Sequence, residues 1–431
     1  MILSVQVFLF LILSKILSFT SKLFKRGSGT ALPGYFVENY FSSILRFFDK
    51  KYKKVIYISG TNGKTTTRAI LVDLLEKNNI KVLTNKGGAN IMRGLASALF
   101  SDLNWNLKVK SDFLVLEVEE ATLPKIANYI SVDTLVLTNV FRDQLDAYGE
   151  IDKTLEYFKQ FLELQNCNII INGDDPKLLE IVQTLSDKNI YYCGVVSEEN
   201  PKYEGSIAKV VDYTYKATNI AYNQGLMTFE INQEPYTSQL SGVYNIYNTV
   251  FAVAVAKQIG LVNIPDYIRG FKPVFGRGER FNINNNFTSL YLVKNPEGFN
   301  QVLQYIKKAF VGEKLNLYFI VNDNIADSRD VSWLWDVEFE KYREQFLINN
   351  VQINDIYSGG ARGDDMLLRL EYADFHSISY GNNLGSIKSI VDNIVNNDSN
   401  NIVFATYTAM LEFRKELANH IIVSDITASG N

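Results

Sequence analysis

Residues 58–67 read ISGTNGKTTT. The stretch grows out of KVIYIS (54–59), a β-branched run that stops at glycine, and runs into TTTRAILVDLLEKNN (65–79), whose apolar residues fall at helical spacing. A strand, a glycine turn and a helix thus follow one another. A strict phosphate loop is G-x-x-x-x-G-K-[ST], and its first glycine would fall at Ile58, so the strict pattern is not met. What remains is Gly63-Lys64-Thr65, with Gly60 three residues before Gly63. The physical logic survives: glycines let backbone N–H groups approach phosphate, and a helix N-terminus adds partial positive charge. Gly60, Thr61, Asn62, Gly63, Lys64, Thr65 and Thr66 are therefore the candidate nucleotide-binding residues, with Lys64 reaching β- and γ-phosphates and Thr65 a ligand for Mg²⁺. The plain alternative is a polar turn that only starts a helix.

Working outward, strand and helix signals alternate. KVLT is another strand, and FLVLEVE, TLVLTNV and CNIIINGDD are continuous apolar runs, as expected of strands buried on both faces of a parallel sheet. This predicts an α/β domain with a doubly wound parallel sheet. Residues near 190–240 are rich in tyrosine and turn formers and predict a small antiparallel β insert. After KPVFGRGERF a second alternating unit begins, with SLYLVK, NLYFIVND, DIYSGG, SISYG and NIVFATYT as strands. The expected organisation is an N-terminal apolar or amphipathic helix and linker (1–34), an ATP-binding domain (35–275) and a smaller C-terminal α/β domain (276–431).

The chain has 431 residues, enough for two or three domains of about 100–200 residues. Its net charge of −4 argues against general nucleic-acid binding, which needs a basic surface. Two cysteines, Cys167 and Cys193, cannot form a disulfide framework or a four-cysteine zinc site. The N-terminal MILSVQVFLFLILSKILSF lacks the basic start and the cleavage site of a secretory signal, and Ser14 and Lys15 interrupt it. It reads either as a helix packed on the domain or as one lying in a membrane interface, with KRGSGTALPG ending it.

The motifs, taken together, resemble the Mur ligase superfamily. GTNGKTTT is similar to its ATP loop, LEVEEATLP (116–124) to the strand end carrying a Mg²⁺-binding glutamate, here Glu117, and GVYNIYNTVFAVAVA (242–256) to the helix whose asparagine, here Asn248, faces adenine. GRGERF (276–281) resembles the G-R-x-E turn, with Arg277 and Glu279, and NIIINGDDP (168–176) a turn with Asp174 and Asp175. In LTNVFRDQLDAYGE (137–150) the metal-binding histidine of the pattern is replaced by Gln144, a weaker ligand, which puts a second metal in doubt. Lys159 has the spacing of the lysine that several members carbamylate, although a solvated surface lysine is the plainer reading.

The C-terminal phrases LVKNPEGFNQVL, NDNIADSRDVSWLWDVEFE, SGGARGDDMLLRL and ATYTAMLEFRKEL resemble the MurT branch, the ligase-type subunits of lipid II isoglutaminyl synthase. The resemblance implies ATP and Mg²⁺, and activation of the α-carboxylate of D-glutamate in the lipid II stem as an acyl phosphate. It also implies amidation by ammonia from a GatD-like glutamine amidotransferase subunit, at the cytoplasmic face of the membrane. Lys64 and Glu117 would be catalytic, and an aspartate of the tryptophan stretch, Asp336 or alternatively Asp330, would complete the partner's Cys-His-Asp triad. Many members carry a four-cysteine zinc ribbon in the insert, where this chain has only Cys193, so zinc is not expected. The alternatives are an amino-acid ligase like folylpolyglutamate synthase that needs no glutaminase, and an ATP-binding scaffold.

Overall fold

The computed structural model describes residues 2–23, 31–85, 89–141, 150–183, 185, 187–197, 211–223, 226–240, 242–272, 276–284, 286–327 and 329–420. Among them, one sheet is built from β1 (Lys54–Ser59), β2 (Val82–Thr84), β3 (Phe113–Glu117), β4 (Thr134–Leu137), β5 (Asn168–Asn172), β6 (Ile190–Val195), β7 (Tyr215–Asn223), β8 (Leu226–Ile231) and β9 (Glu234–Ser238). Their order is β2-β3-β1-β4-β5-β6-β7-β8-β9. The pairs from β2 through β7 are parallel, and β7, β8 and β9 form an antiparallel meander. The meander begins at β7, one strand later than expected, and extends the central sheet edge to edge.

The strands are apolar throughout because both faces are covered. Val55 and Tyr57 enter the core on one face, Ile56 and Ile58 the core on the other. The second core holds helix Lys64–Lys77 against helix Val243–Gln258. The latter is buried around most of its circumference from Val243 to Ala256, which explains its lack of a polar face.

A second sheet contains β10 (Arg277–Ile283), β11 (Asn286–Leu292), β12 (Lys314–Ile320), β13 (Gln352–Gly359), β14 (Gly381–Asn383) and β15 (Asn400–Ala405), in the order β10-β11-β15-β12-β13-β14. Only β10 runs antiparallel to its neighbour. One of its cores is built on stacked rings, with Phe299 4.8 Å and Phe319 5.0 Å from Phe404 and Phe339 edge-on to Phe299. Within SISYG, expected as a strand, Ser377 closes a 3₁₀ turn over Phe375–Ser377 and only Gly381 is in a strand, β14.

Helix Ile2–Leu23 lays Val7 and Leu11 into the first core, and Phe10 meets Phe41 and Phe100. Among the described residues no helix is long and apolar enough to cross a membrane. The segment KRGSGTALPG does not stay broken: helix Ala31–Tyr40 starts within it. Pro33 is accommodated in the first turn, where its missing N–H would have no helical partner. Gly34 lets this helix cross helix Met92–Ser101 closely, since a Cβ there would lie 1.7 Å from the Arg93 carbonyl oxygen, and its N–H donates to Ser97 Oγ at 3.2 Å. Gly34→Val should therefore force the two helices apart and destabilise the fold by about 1–3 kcal/mol. Urea unfolding followed by circular dichroism checks this; an unchanged midpoint would refute the close crossing.

Candidate functional site

The register of the central sheet gathers the site. Ile58 of β1 lies level with Glu117 of β3 and Val136 of β4. The segments that leave these strands therefore meet at one sheet edge, at the carboxyl ends where open α/β sheets bind ligands. Asn62 donates its N–H to Asn139 Oδ1 at 2.9 Å, and its carbonyl accepts from Thr138 Oγ1 at 2.7 Å and Asn139 Nδ2 at 3.0 Å. Thr61 exchanges hydrogen bonds with the Phe141 backbone. The loop is thus held from outside, with its shape preformed.

Gly63 is the N-cap of helix Lys64–Lys77, in the left-handed region at φ 90°, and no side chain caps it. The first-turn N–H groups are left for an anion. A Cβ on Gly63 would lie 2.2 Å from Asn248 Oδ1, so the glycine also allows Asn248 to close on the loop. Asn248 is buried and held by Thr67 Oγ1 (3.3 Å) and Asn245 Oδ1 (3.0 Å). Thr66 is buried and Thr65 half-buried in the same first turn.

Lys64 is only 8% exposed, and its Nζ donates to the Gly60 carbonyl at 2.5 Å and Glu120 Oε1 at 2.7 Å. Burial acts to lower its pKa, but Glu120, Glu119 and Glu117 outweigh it and the ammonium stays charged. The same pairing lowers Glu120 against the effect of burial, whereas Glu119 is raised by burial and by Glu120. Glu117 is buried at the end of β3, its backbone fixed by Asn85 in two bonds of 2.9 Å. Its Oε2 lies 3.5 Å from Arg68 Nε, yet neither of these buried atoms makes a hydrogen bond. A buried carboxylate oxygen without a donor suits a cation, and Mg²⁺ commonly takes one or two carboxylates, a hydroxyl and phosphate oxygens. Thr65 and Glu117 fit that pattern. Among the described residues no group of three or more His, Cys, Asp or Glu is placed to hold a metal unaided.

A cleft opens beside the loop, between the two sheets. Phe141, Tyr247 and Asn248 line one wall, and Tyr291, Glu297 and Gln301 the other. Asn295 joins the walls: its Oδ1 caps helix Pro296–Ala309 by accepting from Gly298 N at 2.8 Å, and its Nδ2 donates to Asn62 Oδ1 at 3.2 Å. Asp174 accepts from Tyr247 at 2.7 Å and from Tyr213, while Asp175 caps helix Pro176–Val182 and accepts from Val140 N at 2.8 Å. Burial pushes Asp175 up to about 6 despite these bonds.

Other expected residues fall elsewhere. Gln144 and the side chain of Arg277 lie outside the described residues, as does the expected domain boundary at Phe275. Glu279 pairs with Arg414 at 3.3 Å. Lys159 is exposed on helix Glu150–Leu164. Cys193 is fully buried in β6.

The tryptophan stretch forms a 3₁₀ turn over Ser332–Asp336. It is neither a strand nor a regular α-helix, and the rings diverge: Trp333 is 4% exposed, Trp335 51%. Asp336 closes the turn and is exposed, whereas Asp330 is half-buried and accepts from Ser332 N at 2.8 Å. Asp327 is buried and caps helix Tyr407–Leu417 through Thr408 N at 2.6 Å. Buried Arg369 locks the turn, donating to the carbonyls of Leu334 (3.1 Å) and Val337 (2.8 Å) and to both Glu340 oxygens. Its guanidinium lies 5.4 Å from the Trp335 ring centroid.

Sequence reasoning passed over Arg68, Glu119, Glu120, Asn139 and Asn295. The doubled acid after Glu117 and an asparagine directly before Pro-Glu, a helix-start signal, were the available clues.

The comparisons bear on this geometry. Residues 58–256 match the Mur ligase middle domain and residues 292–410 the MurT ligase C-terminal family. The chain is 31% identical to the lipid II isoglutaminyl synthase (glutamine-hydrolyzing) subunit MurT of Streptococcus pneumoniae, over 93% of this chain and 95% of that one. It is 30% identical to the subunit of the same name from Staphylococcus aureus, over 80% and 83%. Among solved structures, a MurF from Acinetobacter baumannii superposes with a TM-score of 0.67 at 16% identity, over 91% of this chain and 80% of that one. Folylpolyglutamate synthase from Thermotoga maritima superposes at 0.62 with 13% identity, over 90% and 93%, a likeness of fold alone. A Mur ligase middle domain is followed here by a MurT ligase C-terminal domain, and the chain belongs to the MurT family.

Proposed function

We propose that this chain is the ATP-using subunit of a glutamine-dependent amidating ligase, and that it converts the α-carboxylate of D-glutamate in the lipid II stem to the amide of D-isoglutamine. The observation that carries this reading is the buried Lys64 at an uncapped helix start, where the neighbouring Asn62, Gly63 and Thr66 line a cleft between two α/β units. A carboxylate oxygen attacks the γ-phosphorus of ATP, and the bond to the ADP oxygen breaks. Ammonia then attacks the carbonyl carbon, and phosphate leaves with the electron pair. Lys64 and the first-turn N–H groups neutralise charge on the transferring phosphoryl group. Asn248 faces the adenine, and the cleft walls keep water from the labile acyl phosphate. Thr65 and Glu117 would hold Mg²⁺, which would supply further charge neutralisation.

Ammonia must come from a partner. Both cysteines are buried, and burial pushes the Cys167 thiol up to about 11 and Cys193 well above its ordinary value, so neither suits a glutaminase nucleophile. The names of the pneumococcal and staphylococcal relatives, glutamine-hydrolyzing and subunit, point the same way. A GatD-like amidotransferase would dock at the Ser332–Asp336 turn, where exposed Trp335 and Tyr372 lie 5.3 Å apart beside Asp336. Asp336 would orient the partner's catalytic histidine. The complex would work in the cytoplasm at the inner membrane face.

Lys64→Ala should lower ATP-dependent amidation by on the order of 10²–10³-fold or more while the fold is kept; unchanged lipid II amidation would overturn the ligase reading. Product formed from a free amino acid without a glutaminase would instead favour an amino-acid ligase. For the complex, Asp336→Asn should reduce glutamine-dependent amidation by on the order of 10⁴-fold while activity with free ammonium persists. Loss of both activities would place Asp336 in the fold or the ATP site, and an effect of Asp330→Asn alone would move the role there.

A further inference from the structure

We propose that the surface built by helices Ile2–Leu23 and Ala31–Tyr40 seats on an anionic lipid bilayer. The first helix is two-sided in its opening turns: Val7 and Leu11 are buried, while Val5, Phe8 and Leu9 stand out, Leu9 at 60% exposure. The second helix exposes Tyr35, Phe36 and Tyr40, the last at 68%. These rings form one ridge. Tyr35 touches Phe36, Phe36 touches Tyr40, Tyr40 touches exposed Phe41, and Phe41 meets Phe10 of the first helix at 5.3 Å. A continuous apolar and aromatic ridge of this kind needs a cover.

Charge identifies the cover. Residues 1–54 hold nine basic residues against two acidic, and of the nine Lys53 and Lys54 pair with Asp112 and Asp133, while the remaining residues hold 34 basic against 45 acidic. The apolar ridge thus belongs to the one strongly basic segment of an acidic chain. Tyrosine, phenylalanine and leucine combined with lysine and arginine are what a helix lying in the headgroup region presents. No described helix can span the bilayer, so the contact would be peripheral. Seating the chain on the membrane would hold it beside a lipid-linked substrate. Only that last step rests on the proposed function; the surface argument does not.

The test is co-sedimentation of the full chain with vesicles of phosphatidylcholine alone or mixed with phosphatidylglycerol, at low and high salt, comparing wild type with Phe8→Glu/Leu9→Glu and with Phe36→Glu/Tyr40→Glu. Wild type should bind the anionic vesicles preferentially and lose binding with salt. Each double variant should bind at least about tenfold more weakly, with unchanged thermal unfolding and unchanged amidation of a water-soluble short-chain substrate. Wild type that ignores the vesicles, or variants that bind as it does, would overturn the proposal. So would variants that lose the glutaminase partner or turn a dimer into a monomer, since the ridge would then cover protein. Wild type that binds vesicles but never amidates the soluble substrate would overturn the proposed function and leave the membrane surface standing.

Discussion

A buried lysine ammonium must keep its partners, because taking such a charge out of water uncompensated costs several kcal/mol. Lys64 keeps two, the Gly60 carbonyl and Glu120. One comes from the loop after β1 and the other from the segment after β3, so the pairing exists only while Ile58 stays level with Glu117. A slip of one residue would turn the apolar side chains of β1 to the wrong cores and separate the lysine from its carboxylate. The hydrophobic packing of a parallel sheet and the electrostatics of the phosphate site are therefore the same constraint. Three cations, Lys64, Arg68 and Lys294, face three carboxylates, Glu117, Glu119 and Glu120. Glu119 is still raised, by burial and by Glu120.

The central strands were legible in the sequence because both faces of the sheet are covered, which leaves uninterrupted apolar runs such as VIYI and LVLE. Glycines and a lysine between a strand and a helix made the phosphate loop legible in the same way. What could not be read was which carboxylate Lys64 would choose. Glu117, Glu119 and Glu120 lie within four residues, and only the path of the chain after β3 decides that Glu120 reaches the ammonium while Glu117 turns to Arg68. Asn295 was illegible for a similar reason: as a cap it is a local signal, but its bond to Asn62 links residues far apart in the chain.

The tyrosine-rich segment shows the opposite failure. Its alternation and turn residues announced antiparallel pairing, yet nothing local shows whether a meander stands alone or joins an existing edge. The parallel pairing of β6 with β5 and of β7 with β6 decides it. Joining the edge gives the segment a core to share, with Met227, Phe229 and Tyr236 packed in the same cluster as helix Val243–Gln258. A disulfide or metal staple, the usual aid of a small isolated β unit, is then unnecessary.

The turn Ser332–Asp336 is anchored to the core at one end and offers an aspartate to solvent at the other. Trp333 is buried among the stacked rings, and Arg369 satisfies the Leu334 carbonyl that a short 3₁₀ turn would leave bare and adds a donor to the Val337 carbonyl, which also accepts from Phe339 N. Arg369 is itself buried and would be a liability without Glu340, which takes both of its Nη donors. Three side chains, Trp333, Arg369 and Glu340, thus hold one short exposed turn. A solvated acidic loop needs no such support, because water serves its carboxylates equally well in many conformations. Rigidity on this scale is useful where a carboxylate must keep its direction before its partner arrives, so that binding does not have to order it first. Asp336 is the acid that closes that turn, while Asp327 is consumed by a helix cap and Asp330 by its own turn.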